Sequence, residues 1–180
     1  IPLYSLDNAF SMEEVSDWIF KIQKINEGID NKIFKKDFLV AELKIDGNAI
    51  ALRYENGLLE SAATRGDGVE GEDITNNIKK IKSIPLRLNL EKPPKWIEVR
   101  GEAFIPSNTF IKINDLRIKN NEQVFANPRN ACAGTLRQLN PQVVGERNLD
   151  FFAYQIHFPE NYSLKNNFNN HWERLNFLKS

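Results

Sequence analysis

Cysteine is nearly absent from this chain: Cys132 is the one example in 180 residues. A single thiol closes no internal disulfide and builds no zinc cage, so a disulfide-stapled secreted fold is excluded and a reducing, cytoplasmic setting is expected. Histidine is scarce as well. His157 and His171 are the only two, and neither has metal-ligand spacing. No apolar run approaches the roughly 20 residues that span a bilayer. The N-terminus reads Ile1-Pro2-Leu3-Tyr4, with no basic leader and no Met; it is not a signal peptide, and it is expected to be the cut end of a longer protein. There are no internal repeats. Net charge is also missing, with 24 basic and 24 acidic side chains, which argues against a protein whose whole surface binds a polyanion.

What is present is ordinary globular material. Hydrophobic residues make up 41% and charged residues 27%, enough for one domain with a real core. The charges are uneven. Residues 42–73 hold three basic and eight acidic side chains, residues 74–100 seven and two, and residues 111–137 five and two. An acidic centre therefore precedes two basic stretches, which are either solvated faces or a local polyanion-facing side.

Periodicity predicts a helix over 11–25, N-capped by Ser11, with Val15, Trp18, Ile19, Ile22 and Ile25 on one face. Gly28 is the expected stop. A buried strand is expected over 38–46, ended by Gly47, then strands over 48–54 and 58–64 joined by a Glu55-Asn56-Gly57 turn. A glycine-rich acidic loop over 64–73 leads into a short helix reaching about Ile81. Further expectations are a strand over 96–105, a helix from Ser107 to about Lys119, a helix over roughly 129–139 ended by Asn140-Pro141, and a strand over 149–157. The tail over 159–171 reads as loop, and 172–179 as the start of a helix. Strands in hairpins without a regular βαβ beat give an α+β fold with mainly antiparallel sheets and interspersed helices.

The densest chemistry lies in Glu42-Leu43-Lys44-Ile45-Asp46-Gly47. On a strand, Glu42, Lys44 and Asp46 share one face while Leu43 and Ile45 point into the core. Gly47 would admit a close ligand. A lysine amine attacks only after losing its proton, and two flanking acids favour the protonated form, so a metal ion or another cation must offset them. The plainer alternative is a half-exposed strand face with a ladder of ion pairs. Cys132, in Ala131-Cys132-Ala133-Gly134, reads as a buried packing residue.

Lys44-Ile45-Asp46-Gly47 fits the Lys-x-Asp-Gly signature of the covalent nucleotidyltransferases, the DNA ligases, RNA ligases and capping enzymes. Its surroundings are more specific. Leu3-Tyr4-Ser5-Leu6-Asp7-Asn8 stands upstream. Downstream come Ala63-Thr64-Arg65-Gly66-Asp67-Gly68, Gly71-Glu72-Asp73-Ile74-Thr75-Asn76-Asn77, Glu98-Val99-Arg100-Gly101-Glu102, Phe125-Ala126-Asn127-Pro128-Arg129-Asn130, Leu136-Arg137-Gln138-Leu139 and Phe151-Phe152-Ala153-Tyr154. This series, from residue 1 to about 156, resembles the adenylation domain of bacterial NAD-dependent DNA ligases.

The resemblance implies a covalent nucleotidyltransferase (ATP-grasp-like) core. It implies an enzyme of DNA replication and repair in the bacterial cytoplasm, acting on nicked double-stranded DNA with NAD and Mg²⁺ or Mn²⁺. Lys44 then attacks the α-phosphate of NAD, carries AMP as a covalent intermediate and releases nicotinamide mononucleotide (NMN). AMP passes to the 5′-phosphate at the nick before the phosphodiester is sealed. Asp46 flanks the nucleophile and serves the later steps or the metal. Ser5, Leu6, Glu42, Arg65, Glu102 and Tyr154 join Lys44 as nucleotide contacts, with Tyr154 stacking on adenine and Asp46 and Glu102 as candidate Mg²⁺ contacts. Arg129 and Arg137, eight apart and so roughly on one helix face, would grip phosphates beside the nick. The family's NMN-capturing N-terminal domain is not found in the sequence. Nor are its downstream lysine motifs, OB-fold, zinc finger, helix-hairpin-helix and BRCT modules. The chain is therefore expected to be a partial adenylation domain, weak or inactive alone. Two alternatives are a non-catalytic core that binds adenine nucleotides or DNA, and a nucleotidyltransferase using ATP or GTP.

Overall fold

The computed structural model describes residues 7–26, 39–159, 162 and 168–179. Ser5, Leu6, the expected stop at Gly28 and most of the expected loop over 159–171 lie outside the described residues. The described residues fall into two compact units that divide between Glu42 and Leu43.

The smaller unit contains helix α1 (Met12–Asn26). Ser11 caps it as its sequence predicts, the Glu14 backbone N–H donating to Ser11 Oγ at 3.2 Å. Glu14 answers by accepting from the Phe10 backbone N–H at 2.6 Å. Val15, Ile19 and Ile22 are half-buried, whereas Trp18 and Ile25 stay exposed.

The larger unit runs β1 (Asn48–Glu55), β2 (Leu58–Thr64), α2 (Thr75–Ile78), β3 (Trp96–Phe104), α3 (Ser107–Lys119), α4 (Pro128–Leu136), α5 (Pro141–Glu146), β4 (Asp150–His157) and α6 (His171–Phe177). Its four strands make one antiparallel sheet in the order β2-β1-β3-β4. The expected α+β class and antiparallel pairing hold. The β1–β2 hairpin turns through Asn56 and Gly57, both at positive φ, the geometry that matches strand twist in a two-residue turn.

Alternation sorts the sheet into two faces. Ile50, Leu52 and Tyr54 stand opposite Gly101, Val99 and Ile97 and form the core side. Ile74, Ile78, Ala131, Cys132, Leu136 and Val144 complete that core. Buried Asn77 clamps the helices by donating to the Leu136 and Gln138 carbonyls at 2.7 and 2.8 Å.

Several expected boundaries are corrected. Residues 39–46 form no strand, and Leu43 is exposed rather than buried. The reason lies in the register. Asn48 pairs with Ala103, so a longer β1 would run against Pro106, which has no N–H to give, and then into α3. On the other side Arg65 N–H donates to Ala49 O at 3.0 Å, and the chain turns away at Gly66 with φ of 54°. Past Ile105 the ladder has no strand partner to offer residues 39–45. Gly47 therefore precedes a strand instead of ending one.

The helix expected over 129–139 stops at Leu136, and Asn140-Pro141 opens α5 instead of closing α4. Both Asn-Pro pairs act alike. Asn127 accepts from Asn130 N–H and Asn140 from Gln142 N–H, each followed by Pro in the first turn. The helix expected to reach Ile81 is the single turn of α2. Ser107 does not cap α3; Pro106 holds that position and its carbonyl accepts from Thr109 and Phe110.

Cys132 is the buried packing residue expected. Its Sγ lies 3.1 Å from the Ala103 carbonyl, and burial pushes its thiol up to about 12. Burial likewise raises the Tyr54 hydroxyl, which donates to Pro85 O at 2.9 Å. Below about pH 8 both groups largely keep their protons, folded or unfolded, and their contribution to stability is nearly constant. Above pH 9 the unfolded chain loses the thiol proton while the native chain retains it, so stability falls as pH rises. The urea midpoint is expected to drop from pH 8 to pH 10, with Cys132 contributing about 1 kcal/mol of that loss. Cys132→Ala removes this part of the slope.

Candidate functional site

The second face of the sheet carries Glu102 among the predicted site residues. Across β1 and β3, Ala49 stands opposite Glu102, Ala51 opposite Arg100, and Arg53 opposite Glu98. Ala63 of β2 stands opposite Ala51, and Phe152 of β4 opposite Glu102. Ala49, Ala51 and Ala63 are half-buried. Three small side chains thus make a shallow apolar floor, edged by alternate charged residues of β3. Glu98, Arg100 and Glu102 share this face because successive strand residues alternate sides.

Glu102 is the electrostatic centre. Burial raises its carboxyl above the usual range, opposed in order by the charges of Lys44 and Arg129, a hydrogen bond from the Gly47 backbone and the charge of Arg65. One carboxylate therefore feels three cations from three separate segments. Tyr154 is half-buried and its hydroxyl is raised by burial first and then by Glu102, with Arg100 and Arg65 opposing. Tyr154 falls where the β3–β4 register shifts between Arg100 and Gly101. The structure accordingly gathers Lys44, Arg65, Glu102, Arg129 and Tyr154 about one part of this face. Lys44 and Arg65 are exposed there.

Asp46 is exposed and paired with Arg129, Nε to Oδ1 at 2.8 Å. Arg137 lies just past the end of α4 and pairs with Glu72, Nε to Oε2 at 2.6 Å. Both arginines therefore sit on carboxylates of the acidic segment 46–73. Glu42 is exposed and belongs to the smaller unit. Gly47 does not make room for a ligand. A Cβ there would fall on the Ala103 carbonyl oxygen, so its small size serves strand packing.

The loop expected over 64–73 is tightly made. Asp67 Oδ1 accepts from the Val69 and Glu70 N–H groups, each at 2.8 Å, which lowers its carboxyl. Thr64 and Glu72 close the neck, Thr64 N–H donating to Glu72 O and Glu72 N–H to Thr64 Oγ1, both at 3.0 Å. This neck holds Arg65 at the sheet edge and Glu72 against Arg137.

Sequence reasoning gave no role to Arg100 and Asn48. Arg100 is 4% exposed and doubly bonded to Glu98, Nη2 at 2.7 Å and Nε at 2.8 Å. The run Glu98-Val99-Arg100-Gly101-Glu102 carries the signal, three charges on alternate strand positions. Asn48 Nδ2 donates to the Arg129 carbonyl at 3.1 Å, a contact across 81 residues without a local sequence cue.

Among the described residues no group of three or more His, Cys, Asp or Glu is placed to hold a metal ion, and no helix is long and apolar enough to cross a membrane. Residues 1–180 match the sequence profile of a family described as NAD-dependent DNA ligase adenylation domain. The chain is 57% identical over 187 residues to a DNA ligase of Prochlorococcus marinus (strain NATL2A), covering 100% of this chain and 27% of that protein. It is 56% identical over 181 residues to a DNA ligase of Synechococcus sp. (strain WH7803), covering 99% and 26%. Thus the chain spans about a quarter of the length of the curated relatives it matches.

Proposed function

This chain belongs to the NAD-dependent DNA ligase adenylation domain family, and on that basis we propose that its sheet face binds the AMP half of NAD and that Lys44 is the nucleophile. The observation that carries the reading is the convergence of Lys44, Arg65 and Arg129 on half-buried Glu102 beside Tyr154. In the reaction the Lys44 Nζ–P bond forms at the α-phosphorus and the pyrophosphate P–O bond breaks. NMN leaves with that electron pair, and the amine gives up a proton. Arg65 donates to phosphate or ribose oxygens, for which a fixed guanidinium fork is suited. The Ala51 and Ala63 floor offers a flat apolar bed for adenine, with Tyr154 as its stacking partner. Glu102 holds the ribose or a metal ion. Ser5, Leu6 and Glu42 complete the proposed adenosine contacts.

Glu102 and Asp46 suit a Mg²⁺ held largely by phosphate oxygens and water, which needs one or two carboxylates rather than a protein cage. When bound, the ion offsets charge on the α-phosphate. The whole protein would then pass AMP from Lys44 to the 5′-phosphate of a DNA nick and seal it, in the bacterial cytoplasm. Arg129, Arg137 and the basic stretches would face the DNA backbone, where contacts position without reading sequence.

Intact-mass measurement before and after incubation with NAD and Mg²⁺ tests this. In the whole protein a gain of one AMP, absent with ATP or GTP, is expected, whereas residues 1–180 alone are expected to gain little or none. No gain with NAD, together with a melting temperature raised by AMP, would support the non-catalytic binding core instead.

A further inference from the structure

Arg137 is exposed, yet one short segment fixes it from two sides. Asn77, 7% exposed, donates through Nδ2 to the Leu136 carbonyl at 2.7 Å and to the Gln138 carbonyl at 2.8 Å. These are the carbonyls of the residues immediately before and after Arg137. Arg137 caps the C-terminal end of α4, where helix carbonyls lack intrahelical donors. The Asn77 amide supplies donors there and keeps the chain from fraying at that point. Earlier in the same segment, Glu72 takes the guanidinium itself, Nε to Oε2 at 2.6 Å. The segment is in turn docked on β2, Ile74 N–H donating to Ala62 O and Ala62 N–H to Thr75 Oγ1, each at 2.9 Å. A long cationic side chain on a fixed root loses less freedom when it meets an anion.

We propose that Asn77 is a positioning residue for Arg137: it sets the backbone from which the guanidinium reaches a DNA phosphate. This rests on the reading of Arg137 as a contact to the nicked strand. Asn77 touches no substrate and acts only through the turn it holds.

Phenylglyoxal labelling of the whole protein, with Arg137 followed by peptide mass spectrometry, tests the positioning without DNA. Asn77→Ala is expected to quicken labelling of Arg137 about threefold, since a shifted root weakens one exposed charge pair. Asn77→Ser keeps a smaller donor, is expected to fall between, and serves if the alanine variant does not fold. Ile78→Val loosens the same helix at a buried apolar site and should leave Arg137 labelling unchanged. Unchanged labelling in the Asn77 variants, or equal acceleration in Ile78→Val, overturns the proposal. Binding of a nicked duplex across a salt series is the second readout. Asn77→Ala should lower the salt slope by up to about 0.9, the share of one phosphate contact, and by nothing further when Arg137→Gln is already present. A further loss in that background overturns action through Arg137. An Arg137→Gln protein that binds nicked DNA as before counts against the DNA reading and leaves the labelling result standing by itself.

Discussion

A Lys44→Arg protein is expected to take no AMP from NAD, at least about 10³-fold below the unsubstituted protein, as befits loss of a covalent nucleophile. The choice of arginine matters. It keeps a positive charge on the segment, so the field at Glu102 is preserved to first order. A guanidinium does not give up its proton near neutral pH and cannot attack phosphorus. Nucleotide binding should therefore survive where covalent capture fails. Intact mass after NAD treatment reads the capture, and the AMP-induced rise in melting temperature reads the binding. Capture retained by the arginine variant would remove Lys44 from the chemistry. Loss of both readouts would show that the amine is needed to hold the nucleotide.

Gly47→Ala is expected to destabilise the fold by about 3 kcal/mol, with a melting temperature lower by on the order of 10 °C. The added Cβ would land on the Ala103 carbonyl oxygen. That atom is backbone within a paired strand, so no rotamer change relieves the clash. β1 must separate from β3 at its first pair, Asn48 with Ala103. The same shift carries the Gly47 N–H away from Glu102. Gly134→Ala provides the contrast. Its Cβ would lie 3.3 Å from the end of the Phe125 ring, which can give, and the change should stay within about 1 kcal/mol. Thermal unfolding of the two variants distinguishes a packing glycine from a tolerant one; equal melting temperatures would refute the steric reading of Gly47.

Sequence periodicity located β1, β2, β3 and β4 to within about a residue, because half-buried strands with glycine and asparagine turns carry a local signal. It misplaced the stretch before Asn48. Leu39-Val40-Ala41 and Leu43 have the composition of a strand, but pairing depends on a neighbour 60 residues away that ends at Pro106. Asn140-Pro141 was ambiguous for a local reason. The same dipeptide stops one helix and starts another, and only the path of the chain decides.

At the site, residue types and spacing singled out Glu42, Lys44 and Asp46, and the family resemblance added Arg65, Glu102 and Tyr154. The grouping about Glu102 follows from cross-strand register, which no short motif encodes. The partners of Arg129 and Arg137 were not legible, since each reaches a carboxylate more than 60 residues away in sequence.

The end of the ladder at Asn48 has a mechanical consequence. Residues 43–46 enter no sheet pairing among the described residues, so Lys44 can travel without breaking a strand hydrogen bond. The tie across its path is one solvent-exposed ion pair, worth at most about 1 kcal/mol. The proposed nucleophile is thereby uncoupled from the rigidity of the platform beneath it. The four strands carry the cost of staying folded, and Lys44 sits on a short tether whose release is small beside thermal stability.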